Sequence, residues 1–272
     1  MQAGLRDVLG EDGIAEMAEY NFQQQQQAER EKQKDAAAGG TEDEAPPVII
    51  PNWLKQWQKR YEGQEWGFVA IKSACYDDEE RWEKFKQVFQ EIIQIPFDRV
   101  EATIAAAAKA REILQIRWIE DPELDGASIQ VPQERYESLQ PTLPAGQSHP
   151  VFLSASSDAI ESVLSASPVP SIDSKYWRPP APYILAVAAS SDPGLDEGHK
   201  EREWFRDLFK VAVEVLVEEF WFVVDSDLMP LRRVMRGVKG VNEDEEGDAG
   251  LEEMWWSTSP SPGRMRKRTR ME

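Results

Sequence analysis

The chain is poor in the residues that build most catalytic and metal sites. It has one cysteine, Cys75, and two histidines, His149 and His199, in 272 residues. A single thiol excludes an internal disulfide and fits a reducing compartment; alone, it reads as a small buried hydrophobe rather than a nucleophile. Metal sites draw on several converging Cys, His or carboxylate ligands. The two histidines have no such spacing, and His199 with Glu203, four residues on, reads as a surface pair, so neither metal nor cofactor is expected. Glycine-rich phosphate loops, a Gly-x-Ser-x-Gly turn and a dinucleotide fingerprint are all absent, which leaves no catalytic residue to name. Long hydrophobic runs are missing too: nothing approaches the ~18 apolar residues of a membrane span. Basic residues are outnumbered, 31 Lys and Arg against 50 Asp and Glu, for a net charge of −19. That charge repels phosphate and argues against nucleic-acid binding by the core. The first thirty residues carry acids and lack an apolar segment, the pattern of neither a secretory leader nor an organelle transit peptide.

What the chain does have is aromatic mass, ten Trp and ten Phe, concentrated between two low-complexity ends. Residues 1–47 include a five-glutamine run at 23–27 and an Ala-Gly stretch at 36–40, and their apolar residues are too sparse to offset the entropy of ordering. Residues 237–272 hold an acidic run at 243–248, the aromatic pair Trp255-Trp256, two Ser-Pro steps and a basic end. Residues 48–236 are left as one α+β domain, with a disordered tail expected on either side.

Within that domain the stretch from Trp66 to Cys75 organises the rest. Trp66, Phe68, Val69 and Ile71 are aromatic or β-branched and predict a strand covered on both faces. Asp77 or Asp78 then caps a helix whose stripe is Trp82, Phe85, Phe89, Ile92 and Ile93, and Pro96 is expected to end it. Upstream, Trp53, Leu54, Trp57 and Tyr61 predict a short helix from Asn52 to Glu62. Downstream come an alanine-rich helix, a strand over 114–119, a short helix before residue 139, a strand over 151–155, a helix capped near Ser156, and a strand over 183–188. Phe205, Leu208, Phe209, Ala212, Leu216, Phe220 and Val223 predict one long helix over 201–224. The element order suggests a ferredoxin-like fold: a four-stranded antiparallel sheet with helices on one face and an extra long C-terminal helix.

Three segments resemble a family of uncharacterised filamentous-fungal proteins. They are Trp66-Gly67-Phe68-Val69 with the acidic helix start Asp77-Asp78-Glu79-Glu80-Arg81-Trp82; Trp118-Ile119-Glu120-Asp121; and residues 182–187 followed by Phe209-Lys210-Val211-Ala212. The resemblance runs in patches over residues 52–230. It implies a fungal, intracellular origin and nothing about mechanism. The family strand often has Arg where Lys72 stands, which implies a shared cation there.

Two groups of residues are candidates for function. Lys72 and Arg117 could point the same way from adjacent strands and bind an anionic ligand, with Glu120 at the end of the second strand beside them, where loops often carry function. A plain salt bridge from Lys72 or Arg117 to Glu120 or Asp77 is the competing reading. The second group lies in the C-terminal tail. Trp255 and Trp256 could anchor a partner, and Arg264, Arg266, Lys267, Arg268 and Arg270, five cations in seven residues, match a nuclear-import patch that importin would read. Phosphates at Ser259 or Ser261 would add negative charge beside that patch. A sheet that stacks RNA wants a basic residue before the glycine of the first strand, and Trp66 stands there instead. The expectation is therefore a non-enzymatic protein-interaction module with charged arms, cytoplasmic and/or nuclear and open to dimerisation. The alternatives are a small-ligand binder or cofactor-independent enzyme with a pocket between sheet and helices, and a nuclear regulator that uses the basic tail.

Overall fold

A computed structural model describes residues 48–166, 181–200, 202, 205–226, 230–235, 238 and 254–255. The glutamine run, Ser259, Ser261, Trp256, Arg264, Arg266, Lys267, Arg268 and Arg270 lie outside the described residues.

Helix α1 (Asn52–Tyr61) leads in, burying Trp53, Leu54, Trp57 and Tyr61 along one stripe. Strand β1 (Trp66–Lys72) is buried at every position. Helix α2 (Glu79–Asp98) starts where the Asp78 side chain accepts the Arg81 backbone N–H at 2.9 Å, with Glu79 and Glu80 placed to complement the helix dipole. Pro96 does not end this helix but sits inside its last turn. Its missing N–H costs one hydrogen bond, and the burial of Ile95, Pro96 and Phe97 holds the turn in place. Helix α3 (Ala105–Glu112) completes the crossover to strand β2 (Leu114–Ile119). Helix α4 (Gln130–Leu139) then leads to strand β3 (Val151–Ala155), and helix α5 (Ser157–Leu164) precedes strand β4 (Tyr183–Ala188).

Among the described residues the sheet has six strands in the order β2-β1-β3-β4-β5-β6, where β5 is Leu208–Ala212 and β6 is Met254–Trp255. β1 pairs in parallel with both β2 and β3, β4 runs antiparallel to both β3 and β5, and β6 runs parallel to β5. This mixed α/β sheet replaces the four-stranded antiparallel ferredoxin-like sheet that element order suggested. The physical reason is in the connections. Parallel neighbours need a crossover that packs on the sheet, and α2 with α3 provides one from β1 to β2. Those helices cover the face that carries Trp66, Phe68 and Ala70. Tyr136 of α4 packs with Val69, Ile71, Phe152 and Val187 on the opposite face. Helices therefore cover both faces, not one.

Among the described residues the long helix expected over 201–224 does not form. Residues 208–212 pair with residues 187–183 of β4. A 3₁₀ turn (Val213–Val215), a six-residue π-helix (Leu216–Trp221) and helix α6 (Phe222–Asp225) follow, and helix α7 (Leu231–Val234) starts after Pro230. Valine loses side-chain freedom in a helix and fits a pleated surface, and Phe209 and Val211 alternate into the main core. The π-helix places Phe220 and Trp221 in that core, where Trp221 meets Trp66 edge-on with centroids 4.5 Å apart. Among the described residues no helix is long and apolar enough to cross a membrane.

Candidate functional site

The connections of β1 and β2 leave for opposite faces of the sheet, α2 on one and α4 on the other. In open α/β sheets such a divergence opens a crevice at the carboxyl ends of the strands, where ligands bind. Here Tyr76 covers that point. Its hydroxyl donates to the Lys72 carbonyl at 2.7 Å. Burial, together with the negative charge of Asp121, Asp125 and Glu120, pushes its hydroxyl up to about 12 against a backbone hydrogen bond at Asp121.

Lys72 lies under this cover. It is 2 % exposed, and its ammonium stands 4.7 Å from the Tyr76 ring and 4.8 Å from the Trp82 ring. Cation–π attraction is stronger in such a desolvated setting. Its carboxylate partner is Glu79, at 3.4 Å, rather than Asp77 or Glu120. Glu120 instead pairs with Lys86 at 3.2 Å. Burial alone would raise the Glu120 carboxyl. The nearby Trp82 indole N–H, the Lys86 ammonium and the field of Lys72 outweigh it and hold the group below its usual range. Lys72 and Glu120 thus share one neighbourhood.

Arg117 does not join them. It stands opposite Val69 in the β1–β2 register, on the face carried by Val69 and Ile71, whereas Lys72 is on the face of Phe68 and Ala70. Counted from the register partners Trp66 and Leu114, side chains share a face when their numbers of steps are both even or both odd; Lys72 lies an even number of steps from Trp66 and Arg117 an odd number from Leu114. The expected joint anion site of Lys72 and Arg117 is therefore not formed.

A different pocket does form at the carboxyl ends of β1 and β3. Cys75, Asp77, Asp78, Arg81, Ser157 and Ile160 line a space of about 270 Å³. Cys75 holds a left-handed backbone with φ of 68°, a conformation that costs a non-glycine residue about 1–2 kcal/mol. Burial and the charge of Asp78 push its thiol up, against the opposing pull of Arg81 and Lys72. The thiolate is disfavoured, so Cys75 is a poor nucleophile. Arg81 is engaged by Glu161 across the pocket at 2.5 Å. Among the described residues, no group of three His, Cys, Asp or Glu side chains is placed to hold a metal ion. His149 is buried, with its Nε2 2.9 Å from the Gly67 carbonyl and 3.1 Å from the Gly146 carbonyl, so it ties the start of β1 to a loop.

The other candidate lies at the far edge of the sheet. The sequence offers Trp255 as an anchor for a partner; the structure buries it completely within its own chain. Met254 and Trp255 pair with Lys210 and Val211 as β6. The Trp255 indole donates to the Val234 carbonyl at 3.0 Å, and its ring stands against Phe220 of the π-helix at 5.0 Å. A tail residue thus fills a groove between β5, the π-helix and α7. No periodicity could signal a two-residue strand. The cue available was a large aromatic pair isolated in a charged, glycine-containing stretch. No protein-family model, no curated protein and no solved structure matches this chain.

Proposed function

We propose that this protein is an interaction module in which the β5 edge receives an extended strand carrying a tryptophan, and that Met254–Trp255 occupies the edge in cis. The observation that supports this reading is the full burial of Trp255 beside Phe220, with its indole N–H satisfied by Val234. Strand addition to a sheet edge is a general mode of peptide recognition, in which backbone pairing gives affinity and a side-chain pocket gives specificity. π-helical turns also concentrate at functional sites, and here one supplies the floor of the pocket.

The magnitudes favour an exchangeable contact. Burying a tryptophan of about 200 Å² contributes about 5 kcal/mol at ~25 cal/mol/Å². Ordering each tail residue costs about 1–2 kcal/mol in backbone entropy. A small surplus remains for a two-residue strand, so a partner segment with comparable side chains can compete. The test uses a labelled peptide of residues 251–258 with the full chain, wild type and Trp255→Ala. The reading expects the variant, whose edge is empty, to bind the peptide at least tenfold more tightly. Equal binding to both, or binding to neither, would overturn it. In the same proposal, Arg264, Arg266, Lys267, Arg268 and Arg270 serve as an importin-read signal, and a fluorescent fusion lacking residues 264–270 would be lost from the nucleus.

A second reading, a small-ligand binder, is favoured by the 270 Å³ pocket around Cys75, Arg81 and Ser157 at the strands' carboxyl ends. Its test is a thermal-shift screen of small anions and cations on the full chain, with any stabilisation required to vanish in Arg81→Ala.

A further inference from the structure

We infer that the β5 edge is filled in trans as well as in cis, so that Met254–Trp255 of one copy docks on β5 of a second copy and two chains exchange strands reciprocally. This inference rests on the edge-binding reading and names the partner for it.

The length of the connection permits it. Trp255 bonds to Val234, only four residues before Val238, and a short turn from Val238 would return the chain to that point. Fifteen residues, 239–253, stand between Val238 and Met254 instead. At ~3.3 Å per residue a connection of that length reaches up to about 50 Å, which is enough to span to a neighbouring molecule. The site is also self-complementary. Every copy carries both the groove and the segment that fits it, and reciprocal exchange closes with two-fold symmetry rather than propagating.

The edge itself calls for an occupant. A vacant β5 would present unpaired backbone groups beside the apolar ring of Phe220, the kind of edge that templates pairing with another chain. Two whole chains at −19 each repel one another, so added salt should promote rather than weaken the dimer.

The test is sedimentation of the full chain at rising concentration, wild type beside Trp255→Ala, followed by mixing of differently labelled copies. The wild type should dimerise, Trp255→Ala alone should stay monomeric, and the two should form a mixed pair in which the wild-type strand fills the variant's empty edge. Dimerisation should strengthen several-fold between low and moderate salt. Trp255→Phe, which keeps a ring in the groove, should restore most of the self-association, and this rescue separates exchange from a folding defect. A wild type that stays monomeric at every concentration, or a Trp255→Ala variant that dimerises as well as the wild type, overturns the inference. If the 251–258 peptide binds Trp255→Ala while the wild type stays monomeric, the edge reading survives and strand exchange alone fails. If the peptide binds neither form, both fail.

Discussion

The Trp255 ring meets the Phe220 ring edge-on, with centroids 5.0 Å apart and planes inclined at 64°. Thirty-odd residues of sequence separate the two, and one lies in a tail whose neighbours are charged. Their contact joins the C-terminal segment to the π-helix that follows β5. The indole hydrogen bond to Val234 brings α7 into the same cluster, so the last strand and the last helices of the described chain are one packing unit.

Gly67 is required by the β1–β2 pairing rather than by any chemistry. Its φ is 126°, and a Cβ there would lie 2.2 Å from the Gln115 carbonyl oxygen. Gly67→Ala should therefore destabilise the fold by about 3 kcal/mol or more, from an unfavourable backbone and a displaced neighbouring strand. Gly63 has a φ of 81° but open space around it, so Gly63→Ala should cost only about 1 kcal/mol. Urea denaturation of the two variants checks the contrast.

Alkaline pH should weaken the fold through Tyr136. Burial pushes its hydroxyl up to about 12, against a hydrogen bond at the His149 backbone, from a usual value near 10. The native state thus holds this proton more tightly than the unfolded chain. The resulting stability is complete below pH ~10 and is lost as pH rises toward 12, by about 2–3 kcal/mol at most. Tyr136→Phe should remove that component, so its stability should fall less steeply above pH ~10. It should also be less stable at neutral pH by about 1–3 kcal/mol, since the hydroxyl donates to the His149 carbonyl at 2.8 Å and accepts its N–H at 3.1 Å. Denaturant titrations from pH 8 to 11 measure both effects.

Cys75 should react slowly. With its thiol raised by burial and by Asp78, the thiolate fraction at pH 8 lies below that of a free cysteine. Alkylation of the native chain by iodoacetamide should be several-fold slower than that of a free thiol. Asp78→Asn removes the charge and keeps a capping side chain of equal quality, so it should speed the reaction. A native rate above the free thiol would point to an activated nucleophile in the pocket.

Much of the architecture is legible in the residues. The strand at 114–119 is an alternating run that acids and Pro122 follow, those at 151–155 and 183–188 are short apolar runs flanked by Pro and Ser, and Asp78 and Ser156 cap helices. Strand direction is not legible, because the two-residue period is the same in parallel and antiparallel sheets. β5 was hidden for a related reason: Phe205, Leu208, Phe209 and Ala212 also satisfy helical spacing, and a short apolar run fits both periods. Pairing with β4 decided between them. The opposite orientations of Lys72 and Arg117 depend on the register of two strands whose connection contains two helices, which local spacing cannot supply. Trp255 is a case where a long-range contact overrides the character of its neighbours.

The most direct measurement is hydrogen exchange, followed by mass spectrometry, on the full chain, wild type and Trp255→Ala. If Met254–Trp255 closes the sheet as β6, the β5 amides that point away from β4, Lys210 among them, are protected in the wild type and exchange at least tenfold faster in the variant, while β1 and the β5 amides bonded to β4 are unchanged. Identical protection of β5 in both proteins would contradict the account.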